Sequence, residues 1–279
     1  MEIKKILNNN VILTVDENNQ EIVVMGRGIA FSKRVGSTID ENNIDKIFTL
    51  DNTEDVHSFA KLLSEINLEY FEYIEEIVNY SKIKLGKKLS NSIYITLTDH
   101  FNSLIERAKA GAYLKNPMTW DIKRLYKDEF LLAKKLVAKI NDKFGFYYGD
   151  DEAANITLHL VNAELDTNFD TVLKITKVIS EMLDIVKYNF GITYNEESLY
   201  YYRFLTHLRF FSQRIFNGGV YEGADDKDLF EIIKIRYPEE YNCTLKISDF
   251  LIKEYNYTIE DEDVLYLTIH IVKLVKESR

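Results

Sequence analysis

Apolar and polar positions follow two different rhythms along this chain, and the change falls near residue 56. Before it, apolar runs are short and rich in Val and Ile: Ile3 to Leu7, Val11 to Val15, Ile22 to Met25 and Ile29 to Phe31. Polar turn formers part them, namely Asn8-Asn9-Asn10, Glu17-Asn18-Asn19-Gln20 and Gly26-Arg27-Gly28. β-branched runs of that length between Asn and Gly turns predict a four-stranded antiparallel meander. So small a sheet buries little by itself, and a second copy covering its other face would complete a core, so a homodimer is expected. From Val56 on, apolar residues recur at helical spacing, as in Leu62, Leu63, Ile66, Phe71, Ile74, Ile77 and Val78. Breaks fall near Leu85-Gly86, Gly111 to Pro117, Gly145 to Asp150, Asp166 to Asp170 and Gly218 to Asp226, and Asp51 to Val56 reads as a short acidic linker. The expected organisation is a small antiparallel β domain over residues 1–55, then two all-α helical bundles, 57–168 and 169–279.

The two bundles are related by an internal duplication. Tyr126-Lys127-Asp128-Glu129-Phe130 is followed by Asp150-Asp151-Glu152 and then Thr157-Leu158-His159-Leu160-Val161. Tyr237-Pro238-Glu239-Glu240-Tyr241 is followed by Asp261-Glu262-Asp263 and then Thr268-Ile269-His270-Ile271-Val272. Tyr126 to His159 and Tyr237 to His270 both span 33 positions, so the match needs no gap. Earlier in each half, Leu97-Thr98-Asp99-His100-Phe101 resembles Phe204-Leu205-Thr206-His207-Leu208. Repetition at this scale marks two copies of one structural unit.

Composition narrows the class. Only two prolines occur, Pro117 and Pro238, so long helices run uninterrupted. A single cysteine, Cys243, excludes an internal disulfide and a cysteine-based zinc finger, and it fits a reducing, cytoplasmic setting. No apolar run reaches the length of a spanning helix and the N-terminus lacks a signal peptide, so no membrane insertion is expected. Net charge is -10, which excludes a uniformly basic nucleic-acid binder but not a local basic edge. Residues 1–34 hold five basic groups (Lys4, Lys5, Arg27, Lys33, Arg34) against four acidic ones. There, Asn side chains can read base edges, Phe31 can stack and Arg27 can meet a phosphate or guanine. The plainer reading makes those asparagines turn formers. Gly26-Arg27-Gly28 fails the dinucleotide pattern, with Phe31 in the third glycine place, and reads as a tight turn between strands.

Four of the five histidines, His100, His159, His207 and His270, fall at repeat-related positions. A histidine on an apolar helix face is ordinarily a packed core residue, but four at paired places point to a shared chemistry. Zinc needs three or four ligands in one place, and neither a His-Glu-x-x-His motif nor a local His pair exists, so no metal is expected. Acid–base catalysis needs positioned carboxylates. Asp99 adjoins His100, but its counterpart is Thr206, so a duplicated carboxylate–histidine site is absent from the local sequence. The third option is an imidazole that accepts a phosphoryl group from another protein, which would place charge on the domain and shift a packing equilibrium. With no nucleotide loop and no cofactor motif, the chain reads as a regulator and not an enzyme.

These segments carry a resemblance. Ile3-Lys4-Lys5-Ile6-Leu7-Asn8-Asn9-Asn10-Val11, Val23 to Phe31, Leu97-Thr98-Asp99-His100, Asp151 to Glu164, Arg203 to Leu208 and the His270 segment occur in family order. The chain resembles the BglG/LicT/SacY transcriptional antiterminators over essentially its whole length. The resemblance implies a co-antiterminator RNA-binding domain at 1–55 and two phosphotransferase-system regulation domains at 57–168 and 169–279. It implies that a dimeric sheet holds an mRNA antiterminator hairpin and so prevents termination of a sugar-utilisation operon. It makes Lys5, Asn8, Asn10, Gly26, Arg27 and Phe31 the RNA-contacting positions. It makes His100, His159, His207 and His270 phosphorylation sites, the first two inhibitory through a sugar-specific permease, the last two activating through HPr. Ala30 and Ser32 depart from the family pattern, where glycine is frequent at the first and glycine or glutamine common at the second. A DNA-binding activator with the same regulatory domains is the alternative, but it requires an N-terminal helix-turn-helix, and residues 1–55 read as strands.

Overall fold

The computed structural model describes residues 1–49, 53–66, 68–217 and 227–278. Strands β1 (Lys5–Asn8), β2 (Val11–Val15), β3 (Glu21–Met25) and β4 (Lys46–Thr49) form one antiparallel sheet in chain order. Asparagine and aspartate make its tight turns. The Asn8 carboxamide oxygen accepts the Asn10 N–H at 2.8 Å, and Asp16 accepts the N–H groups of Asn18 and Gln20 at 2.9 and 2.8 Å.

The fourth strand is not where the apolar pattern placed it. Ile29 to Phe31 folds as consecutive turns, and β4 lies at Lys46–Thr49, after a long excursion from β3. Gly26-Arg27-Gly28 opens that excursion and does not join neighbouring strands. The backbone gives the reason: Gly28 and Ser32 take φ of 68° and 58°, the left-handed region that no strand uses. Ile29 and Ala30 are buried because the turn tucks them against Ile3, Ile12, Ile22, Val24 and Ile39.

The sheet's other face is also closed. Leu13 pairs across to Val23, and Val23 to Phe48, so these side chains share one side, along with Val11 and Met25 by alternation. Helix α1 (Thr53–Glu65) lies across β1, β2 and β3 on that side. Its buried positions Val56, Phe59, Ala60 and Leu63 recur at helical spacing. Phe48 meets Phe59 edge-on at 5.1 Å and Phe71 at 5.5 Å. This corrects the premise behind the expected dimer: the chain's own helix covers the face assigned to a partner copy. The acidic stretch is likewise no plain linker, because α1 already begins at Thr53; Asp51 and Asn52 lie outside the described residues.

Among the described residues ten more α-helices follow: α2 (Leu68–Leu85), α3 (Ser92–Lys109), α4 (Thr119–Leu125), α5 (Lys127–Phe144), α6 (Asp150–Leu165), α7 (Phe169–Phe190), α8 (Leu199–Asn217), α9 (Lys227–Arg236), α10 (Pro238–Tyr255) and α11 (Asp261–Ser278). The expected break at Gly218 to Asp226 lies outside the described residues. None of the described helices is long and apolar enough to cross a membrane. The duplication is visible in the backbone. Tyr126 and Tyr237 precede α5 and α10 with near-identical angles (φ -126°, ψ 55° and φ -132°, ψ 59°). Both helices run 18 residues and stop at a left-handed residue, Gly145 and Asn256.

The chain divides into two compact units. One holds Met1–Thr119 and Tyr126–Thr167, so the sheet and the first helices belong together. The other holds Trp120–Leu125 and Asn168–Arg279. The short α4 segment is therefore gathered into the second unit, where Arg124 is buried and donates to Ser180 at 3.1 Å.

Candidate functional site: a loop edge on the sheet and two histidine pairs

On the sheet, two loops lock together and set out the expected RNA-contacting residues. The Gly26 N–H donates to the Asn10 carbonyl at 3.0 Å, and Ala30 N–H to the Asn9 carbonyl at 3.0 Å. The Gly28 N–H donates to the Asn10 carboxamide oxygen at 2.8 Å. Arg27 is exposed at the tip, its backbone N–H donating to Asp45 at 3.0 Å. Phe31 is 68% exposed, unusual for a ring with no partner surface. Lys5 stands exposed on β1. The structure thus brings Asn10, Gly26 and Arg27 together. Asn8 is turned elsewhere: its carboxamide donates to the Leu63 carbonyl of α1 at 3.1 Å. The turn-forming role of the asparagines is therefore realised in the geometry. Across a cleft from Arg27 and Lys46 stand Glu72 and Glu75 of α2, and Lys46 ion-pairs with Glu75.

The four repeat-related histidines come together two by two. In the first unit His100 of α3 and His159 of α6 have ring centroids 4.7 Å apart. In the second, His207 of α8 and His270 of α11 are 4.6 Å apart. Residues 59 and 63 positions apart in sequence thus share one place in each bundle, because α3 packs on α6 and α8 on α11. The members of a pair differ. His159 is buried, while His100, His207 and His270 are partly exposed. Burial holds the His159 imidazole well below its ordinary range, and the neighbouring His100 adds to it. Burial also lowers His207, with Arg214 contributing. His270 is pushed down to about 4 by burial, then by His207, Lys273 and Arg203.

Arg203 and Arg214, which share the helix of His207, are charged neighbours of the second pair, whereas the carboxylates beside the rings are not neighbours in sequence. The carboxylate against His100 is not the adjacent Asp99, which is exposed, but Glu152 of α6, whose Oε1 meets His100 Nε2. The other oxygen of Glu152 lies 3.6 Å from the Arg107 guanidinium. In the second unit Asp263 and Arg214 make the matching ion pair. A signal existed: each carboxylate stands seven residues before the second histidine of its half, and each arginine seven after the first. Seven residues is two helical turns, so these groups share a face with the rings.

Comparison with known proteins completes the description. A family model described as the CAT RNA binding domain matches residues 1–57, and the PRD domain matches residues 75–163 and 180–274. Transcription antiterminator LicT of Bacillus subtilis (strain 168) is 49% identical over 278 residues, covering 100% of both chains. The chain belongs to this family of transcription antiterminators. The beta-glucoside operon antiterminator of Dickeya chrysanthemi is 42% identical, covering 99% of this chain and 98% of the relative. Among solved structures, a GlcT CAT-PRDI crystal structure is similar at 31% identity, over 58% of this chain and 97% of that one, with a TM-score of 0.49. The sheet is thus the CAT RNA-binding domain, and each histidine pair sits within a PRD domain.

The lowered imidazoles give the PRD domains a pH-dependent stability. Between the ordinary value of 6.5 and about 4, the unfolded chain binds a proton at His270 that the folded chain rejects. Stability is therefore full above the ordinary value and falls as pH drops through that window, the direction set also by His159 and His207. A thermal midpoint lower at pH 5 than at pH 7 is expected, with a shallower pH slope in His270→Gln. Equal slopes in the two proteins would remove His270 from this account.

Proposed function

We propose that this protein holds an antiterminator hairpin in nascent mRNA through its CAT domain, and that phosphorylation of the paired PRD histidines sets whether it does so. The hairpin overlaps a terminator, so holding it lets transcription proceed into a sugar-utilisation operon. Lys5, Asn10, Gly26, Arg27 and Phe31 make the RNA contacts, and Asn8 holds its loop against α1. The exposed Arg27 and Phe31 support this reading, as does the full-length similarity to two antiterminators. An imidazole presents one unprotonated nitrogen at neutral pH, and the depressed values of His159, His207 and His270 keep that nitrogen available for phosphoryl transfer.

His100 and His159 are the inhibitory pair, phosphorylated by a sugar-specific phosphotransferase permease. His207 and His270 are the activating pair, phosphorylated by HPr. The active form is a homodimer in the cytoplasm, where nascent mRNA is found. The observation that carries the phosphorylation reading is the meeting of four histidines as two repeat-related pairs.

Moving a dimer equilibrium from 1:99 to 99:1 takes about 5.5 kcal/mol. Two to four new charge-assisted hydrogen bonds at about 1.5–3 kcal/mol each supply that. A full-length His207→Asp/His270→Asp chain is therefore expected to dimerise more tightly by analytical ultracentrifugation and to raise read-through of a terminator in purified transcription. An unchanged dissociation constant with unchanged read-through contradicts the activating role.

A further inference from the structure

The carboxylate between His100 and Arg107 has the shape of a vacating group. One oxygen of Glu152 meets the imidazole Nε2 and the other faces the guanidinium. Glu152 is nearly fully buried, and the Arg107 Nε–H is buried with no acceptor among the described residues. A phosphoryl group on His100 Nε2 would occupy the volume that this carboxylate fills, and it offers more oxygens to the same arginine. The second PRD domain repeats the arrangement with one change. Arg214 stands 107 positions after Arg107, as His207 does after His100, and Asp263 stands 111 positions after Glu152. Asp263 is one methylene shorter, and its contact is with Arg214.

We propose that Arg107 and Arg214 are positioning residues that receive the phosphoryl group on His100 and His207, exchanging their carboxylate partner for it. Glu152 keeps the first site closed until it withdraws, whereas Asp263 pairs with Arg214 and the Tyr266 ring, not a carboxylate, stands against His207. This rests on the reading that these histidines are phosphorylated, and it adds which residues hold the group and why the two domains differ. Like-charge repulsion expels Glu152 as the phosphoryl group arrives, and the guanidinium follows the larger charge, since a planar fork of donors suits phosphate bidentately. The exchange converts one added group into a displaced α6 carboxylate.

Potassium phosphoramidate tests this on the full chain without any partner protein. Its P–N bond breaks and ammonia leaves with the electron pair. At His100 the Nε2 proton that Glu152 accepts is first lost to solvent and Nδ1 protonated, so that Nε2 is free to form the new N–P bond, and the Nδ1 proton passes afterwards to solvent. Site-resolved mass spectrometry reads occupancy and rate, and phosphorus NMR reads the ionisation of the phosphoryl group. Arg107→Gln and Arg214→Gln should each raise the phosphoryl pKa at the matching histidine by about one unit, as loss of a neighbouring cation does. Arg107→Lys and Arg214→Lys should restore it in part, which a purely structural arginine would not do. Glu152→Asp should speed phosphorylation of His100 about tenfold and Asp263→Glu slow that of His207 about tenfold, the effect of one charge-assisted hydrogen bond. If Arg107→Gln alone fails to fold, Arg107→Gln/Glu152→Gln leaves no unpaired charge and carries the same measurement. Phosphorylated histidines with unchanged ionisation and rates in all variants overturn this inference alone. A native chain that takes no phosphoryl group at His100 or His207 overturns the phosphorylation reading and the inference with it.

Discussion

Replacing Gly26 with alanine is expected to destroy hairpin binding by unfolding the loop edge of the CAT domain. A Cβ at this position would stand 1.8 Å from the Asn43 carbonyl oxygen. Neither side can yield. Gly26 is tied to Asn10 by its N–H, Asn43 is held by its N–H to Asp40, and Asp45 N–H donates to the Met25 carbonyl at 2.9 Å. Overpacking of this kind costs about 1–3 kcal/mol where side chains can shift, and a backbone oxygen cannot, so the upper end or more applies. A domain stabilised by about 5–15 kcal/mol loses a large share. Thermal denaturation should show the CAT transition lowered and hairpin binding lost together. Gly26→Ala with native melting and native affinity would mean that Asn43 does not approach so closely.

The second large effect is His159→Asp. Residues 159 and 270 are repeat equivalents, so the same substitution at each reads their different surroundings. His159 is buried against His100, with no lysine or arginine among the groups that shift it. An unpaired charge placed there costs about 3–5 kcal/mol. His270 is only partly buried and has Lys273 and Arg203 nearby, so an aspartate there finds positive charge. The expected result is a clear loss of thermal stability for His159→Asp and a small change for His270→Asp. Equal losses would mean that the two pairs are equivalent, and the burial difference would then carry no functional weight. By the same argument, phosphorylation of His159 would require the first PRD domain to open, whereas His100 is partly exposed and would need only the withdrawal of Glu152.

Periodicity exposed what it could. Strands β1 to β3 and the helical run from α1 onward follow from two spacings, two and three-to-four residues, because those spacings decide which faces are buried. The duplication showed at Tyr126 and Tyr237 because the repeat preserves the turn before a helix along with the helix itself. The fourth strand was misplaced because Ile29 and Ala30 are apolar for a different reason, a turn tucked into the core. Nothing local in Lys46-Ile47-Phe48-Thr49 outranked that signal. The cover over the sheet was misassigned because an amphipathic helix and a second sheet bury an apolar face equally well, and sequence does not say which arrives. Adjacency in sequence points to Asp99 and gives no sign of Glu152 or Arg107. Two turns of helix and a neighbouring helix, not adjacency, bring a carboxylate to His100.

The central claim is hairpin recognition by the CAT domain, and affinity measured on the full chain tests it most directly. A fluorescent RNA hairpin with two internal loops and a scrambled hairpin should be titrated at two salt concentrations, with native protein and with Arg27→Ala. The account predicts selective binding of the first hairpin by the native chain, and loss of that selectivity in Arg27→Ala. Equal affinity for both hairpins would contradict it and leave the sheet's loop edge to another target.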